Sequence, residues 1–131
     1  MRAQVTVEYL LLSAIALALM SFSVLALAHI RDSSERAYGA LLFKSSATDL
    51  GNAMDEACAL GSGNSRTVYV KRAVDVSGGT RAGILYAQFT DARSGLSLSR
   101  KMFCPVDGAD SLFGKVEVKN EGGSVSAAQS P

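Results

Sequence analysis

Few residues in this chain are spaced for chemistry, and the most conspicuous is a single carboxylate at the mouth of an apolar run. Glu8 directly precedes Tyr9–His29, a stretch without Asp, Glu, Lys or Arg. An acid costs something like 2.5–3.5 kcal/mol at the centre of a membrane span and less near an interface, so it asks for a partner. Either Glu8 marks a membrane boundary, as charges flanking a span often do, or it is a fixed charge awaiting a cation. The second chemical pair is Cys58 and Cys104, both beyond the apolar run. Neither lies in a C-x-x-C and no His stands near either, which disfavours zinc. In an oxidising compartment the two can form a disulfide. Closing a loop of about 47 residues would constrain the unfolded chain by roughly 4 kcal/mol. The competing reading is two buried free thiols, which behave as small core residues. The disulfide is favoured here because a small core needs staples.

The remaining candidates are weaker. His29, the single histidine, has no acid or nucleophile beside it in sequence and reads as an interfacial residue. Asp107 and Asp110 fall well short of a calcium loop, which supplies ligands at alternating positions over about twelve residues. The Gly-rich segments lack the G-x-x-x-x-G-K-[ST] spacing of a phosphate loop. Arg72, Arg81, Arg93 and Arg100 with Tyr69 and Tyr86 could form a nucleic-acid face, but a net charge of +1 argues against one. No catalytic residue, cofactor site or metal site is expected, and the chain does not read as an enzyme.

The elements that would position Glu8 and the cysteines follow from periodicity. Residues 4–30 form an apolar helix without Gly or Pro. At about 1.5 Å per residue it spans the roughly 30 Å hydrocarbon core of a bilayer. The polar break Arg31–Arg36 contains no Gly or Pro, and Ala40, Phe43, Ala47, Leu50, Met54 and Ala57 then recur at spacings of three and four. That is one face of an amphipathic helix over 31–60. Gly39 and Gly51 weaken it and allow a bend or a close approach. Leu60-Gly61-Ser62-Gly63-Asn64 is a stop. One helix from Gln4 to Leu60 would reach on the order of 80 Å.

Beyond it the period changes to two, over a globular part at 65–131. Strands are expected over 67–76, 84–90, 96–102 and 115–119. Ser77–Thr80 reads as a turn and Val106–Asp110 as a loop. The Gly/Ser/Ala/Gln tail from Asn120 reads as loose, with Ser124–Ser126 a possible short edge strand. In the third strand Arg100 interrupts the apolar side. The fold class is α+β: a long N-terminal helix, apolar in its first half and amphipathic in its second, laid on an antiparallel sheet of four or five strands.

The start of the chain carries a resemblance. Gln4-Val5-Thr6-Val7-Glu8-Tyr9-Leu10-Leu11-Leu12 resembles the Q-x-S-x-E-x-x-x-L motif of archaeal type IV pilins with class III signal peptides. Thr6 stands where that family usually has Ser, and Ala3 where it usually has Gly. The resemblance implies a prepilin peptidase that cuts between Ala3 and Gln4, removing residues 1–3 and leaving the apolar helix on the mature chain. It also implies a homopolymeric filament at the cell surface, an assembly ATPase and a membrane platform protein. Cleavage would leave a cationic α-amino group, with a reference pKa near 8. In a bundle of such helices a neighbour's amine could meet Glu8 in a low-dielectric core, setting axial register.

Two other readings stay open. One is a single-span, membrane-anchored surface protein whose sheet domain binds a partner without polymerising. The other is a secreted domain freed by a cut after Ala28, since Arg2 and Ala26-Leu27-Ala28 supply the ends of a secretory signal; the apolar run is longer than such a signal needs.

Overall fold

The computed structural model describes residues 2–130, with side chains from Thr6 onward. The helix α1 (Arg2–Leu60) is followed by β1 (Ser65–Arg81), β2 (Ile84–Asp91), β3 (Ser97–Lys101), β4 (Ala109–Glu121) and β5 (Ser124–Gln129). The strands form one sheet in the order β3-β2-β1-β4-β5, antiparallel at every step. The chain divides into two compact units, one ending at Tyr38 and one beginning at Gly39.

The second unit is the expected α+β layer. Phe43, Ala47, Leu50, Met54 and Ala57, spaced four, three, four and three apart, are all buried. They form one core with Val70, Val74 and Val76 of β1, Ala87 and Phe89 of β2, and Leu112, Val116 and Val118 of β4. Leu50 and Phe89 are its largest fully enclosed apolar side chains. Small residues keep the helix close to the sheet. Gly51 faces Phe89 and the Arg100 side chain, and Gly39 faces the Arg72 guanidinium. The two glycines therefore serve close approach.

Irregularities in the ladder are tied down by side chains. The β1–β4 register shifts between Val70 and Val74 and again before Val76. At the first shift the Lys71 N–H donates to Oγ of the buried Ser46 on α1 (3.0 Å). At the second, Ser111 takes a φ of 51° and its N–H donates to Asp75 Oδ1 (2.7 Å). Such bulges bend strands and increase their twist. The helix end is held by Asn120, only 2% exposed. Its Nδ2 donates to the Ala57 carbonyl (3.1 Å), one of the acceptors a helix C-terminus leaves open. Its Oδ1 accepts from the Gly123 N–H, and its backbone exchanges hydrogen bonds with Gly63 and Asn64.

Three expectations are corrected. Ser77–Thr80 is not a turn: these residues pair with Leu85–Gln88, and the reversal lies at Ala82-Gly83, with φ values of 50° and 78°. The glycines are there for space. A Cβ on Gly78 would overlap the Val106 carbonyl, and one on Gly79 would sit 2.7 Å from the Tyr86 hydroxyl. Val106–Asp110 is not wholly loop, because β4 already begins at Ala109 and Val106 bridges Val125 of β5. The tail is not loose. Gly122 and Gly123 take the two left-handed positions of a tight hairpin, and β5 returns along β4 with Val125 and Ala127 buried.

If Gly78 is required for close approach, Gly78→Ala must push backbone against backbone. We expect it to cost about 1–3 kcal/mol, as overpacking does. Gly79→Ala should cost less, because the end of the Tyr86 ring can yield. Thermal melts of the full chain in detergent check this order; equal, negligible losses would contradict it.

Candidate functional site

The apolar first unit is the most unusual surface of the molecule. Its large side chains from Val7 to Ile30 are all exposed, with Leu10, Leu17, Leu25 and Phe22 each at 65% or more. The most apolar 18-residue window of α1 has a mean hydropathy of 2.5, and none of it is buried. The helix is long and apolar enough to cross a membrane, and such a segment is compatible with membrane anchoring. Three of its serines are satisfied locally: Ser13, Ser21 and Ser23 donate to the carbonyls of Leu10, Leu17 and Leu19, each at 2.9 Å, so these hydroxyls need no water.

Charges bracket this surface. Glu8 is exposed, and among the described residues no ion pair is made to it. Ala3 and Gln4 lie within α1, but their side chains are outside the described residues. At the far end Arg31 pairs with Glu35 (2.9 Å) and Asp32 with Arg36 (2.7 Å). These exposed i, i+4 pairs contribute little stability. They place a charged patch on the turns of α1 that follow His29, which is itself exposed.

In the second unit Cys58 and Cys104 are joined, with their Cα atoms 5.9 Å apart. The bond ties the last turn of α1 to the segment after β3. The sheet's interrupting cations also find partners. Arg100 reaches across to α1, to Asp55 (2.7 Å) and Asn52 (2.8 Å). Arg72 stands on the core side of β1 between Val70 and Val74 and pairs with Asp91, whose side chain is fully buried (2.8 Å). Asp91 also accepts from the Ser94 hydroxyl and the Arg93 N–H. Burial pushes the Asp91 carboxyl upward, but the hydrogen bonds from Ser94, Arg93 and Arg72 outweigh it, so its pKa lies below the ordinary aspartate value.

Of the four arginines and two tyrosines, the structure brings Arg81, Arg100 and Tyr86 to one cleft and leaves Arg72, Arg93 and Tyr69 outside it. Arg72 and Arg100 turn to acids beside the core, whereas Tyr69 stands exposed. Asp107 and Asp110 belong to no cluster, and among the described residues no group of three or more His, Cys, Asp or Glu side chains could hold a metal ion. Sequence reasoning missed Ser46, Asp91 and Asn120 as structural anchors. Arg72 carried the signal for Asp91: a charge at an apolar-face position of a strand must bring a partner into the core.

No protein-family model, no curated protein and no solved structure matches this chain.

The Arg72–Asp91 pair gives a pH test. A carboxylate more acidic folded than unfolded contributes stability that is complete above the unfolded value and is lost as pH falls through the folded one. Asp91→Asn should therefore cost about 3 kcal/mol at neutral pH, by stranding Arg72 against the core. The gap from the native chain should narrow as pH drops below about 3.9, the ordinary aspartate value. Denaturant titrations of both proteins at a series of pH values check this; a gap independent of pH would contradict it.

Proposed function

We propose that this chain is a pilin-like subunit of a type IV pilus-like cell-surface filament. Its apolar helix would first hold it in the cell membrane and then pack against copies of itself, with the sheet domains outward on an extracellular filament. The observation that carries the reading is the first unit of α1: a span-length helix, exposed and apolar on every side, that opens on Glu8 in the Gln4/Thr6/Glu8/Leu12 spacing. Soluble monomers rarely expose a contiguous apolar patch larger than a few hundred Å², so this surface calls for lipid or for other helices. Both environments satisfy it in turn.

The chemistry of assembly follows from the two ends of one helical turn. Cleavage before Gln4 by a prepilin peptidase would create an α-amino group, cationic at neutral pH. In a bundle this amine would need a counter-charge, and Glu8 of a neighbouring subunit offers one. Such a pair adds little net stability over an apolar contact, but breaking it leaves a buried charge alone. Its value is register, since the helices are otherwise free to slide along a uniform apolar surface. An assembly ATPase and its platform protein would move the subunit from lipid to filament.

Glu8→Leu separates this reading from a membrane anchor that does not polymerise. An anchor should tolerate or even favour the change, because a carboxylate leaves the edge of the span. A filament subunit should insert and fold normally yet lose assembly, with about 3–5 kcal/mol lost per stranded charge. Glu8→Gln should be intermediate. Filament yield by electron microscopy, normalised to subunit in the membrane, measures it; undiminished filaments from Glu8→Leu would remove the register role.

A further inference from the structure

The face of the sheet opposite α1 carries a cleft of about 280 Å³ at the β1–β2–β3 end. Its walls are set by register. Arg81 stands opposite Ile84 across the Ala82-Gly83 turn. Tyr86 stands opposite Lys101, and Gln88 opposite Ser99, on β2 and β3. Directly across from Tyr86 on β1 is Gly79, and the missing side chain there lets the Tyr86 ring lie over the strand. The cleft is thus lined by the Tyr86 ring, by Ile84, by the amide of Gln88 and the hydroxyl of Ser99, and by three cations, with Arg81 and Lys101 on opposite sides of β2 and Arg100 on β3. Neither Arg81 nor Lys101 takes part in an ion pair among the described residues, whereas Arg66, Arg72 and Arg100 of the same unit each pair with an acid. Of the three cations at the cleft, Arg81 and Lys101 are therefore uncompensated among the described residues.

We infer that this cleft binds an acidic saccharide, one hexuronic-type ring of an anionic glycan. The volume lies just below the range of small-molecule sites, about 300–1,000 Å³, and suits a single ring in an open groove. The flat C–H face of a pyranose would lie on Tyr86 and Ile84. Its carboxylate would take the guanidinium of Arg81 or the ammonium of Lys101, in a charge-assisted hydrogen bond stronger than a neutral one. Its hydroxyls would meet Gln88 and Ser99, which offer both donors and acceptors. A nucleic-acid strand fits less well: a backbone track needs a row of free cations, and of the three at the cleft Arg100 is already paired with Asp55, in a chain of net charge +1. The cleft lies wholly in the second unit, so the inference holds for a filament subunit and for a membrane-anchored protein alike.

The test is the binding of fluorescently labelled oligogalacturonate to the full chain in non-ionic detergent, followed by anisotropy. A neutral galacto-oligosaccharide of equal length and a short single-stranded oligodeoxynucleotide serve as comparators. Saturable uronate binding with a Kd of about 0.1–1 mM is expected, with the neutral sugar about tenfold weaker or more. Arg81→Ala combined with Lys101→Ala, both at exposed positions, should weaken uronate binding about tenfold while leaving the thermal midpoint unchanged. Tyr86→Phe should retain binding and Tyr86→Ala should lose it. Absence of saturable binding, equal binding of the neutral sugar, insensitivity to the paired substitution, or tighter binding of the oligonucleotide would each overturn the assignment.

Discussion

The second unit depends on the docking of residues 39–60 of α1 onto one face of the sheet. Phe43, Ala47, Leu50, Met54 and Ala57 meet Val70, Val74, Phe89, Val116 and Val118, and the core is largely this contact. A buried side chain such as Leu50 or Phe89 contributes on the order of 2–3 kcal/mol by leaving water. Several irregular features serve the contact. Gly39 and Gly51 admit the arginines and Phe89 beneath the helix. Ser46 receives the N–H that the first bulge of β1 turns toward α1. Asn120 and the Cys58–Cys104 bond hold the end of the helix, one by capping a carbonyl and the other covalently.

The same helix carries two different solvent requirements in sequence. From Gly39 onward one stripe is buried and the rest is wet. Before Arg31 the exposed side chains are almost all apolar. A helix of the first kind is stable on a small sheet in water, whereas a segment of the second kind needs lipid or other apolar helices. The charged stretch Arg31–Arg36 lies in sequence where the requirement changes. That change of requirement within one unbroken element is what the filament proposal rests on.

Much of this was legible in the residues. The helix, its apolar face, the stop at Leu60, the α+β class and the Cys58–Cys104 bond all follow from period, punctuation and cysteine placement. Two of the three errors share one cause. Ser77–Thr80 and the Gly122–Gln129 tail look like loop by composition, since Gly and Ser commonly mark turns. At Gly78 and Gly79 the glycines answer a long-range demand, the nearness of Val106 and Tyr86, that no local window displays. At Gly122-Gly123 the local signal was present: two glycines between Glu121 and Ser124 suit a two-residue hairpin turn, and the small residues after them pair as β5. Arg100 was legible as an interruption but not as an anchor, because Asp55 and Asn52 come beside it only in three dimensions. For Glu8 the sequence sets a spacing, and its counter-charge would come from another molecule.

The central claim is that the exposed apolar helix is kept on the mature protein and begins with a free amine one turn from Glu8. The intact mass of the protein recovered from the cell surface tests this most directly. The account predicts a chain that starts at Gln4 and retains everything after it. A chain starting at His29 would contradict it by removing the association surface altogether, and one starting at Met1 would leave Glu8 without the amine that the register requires.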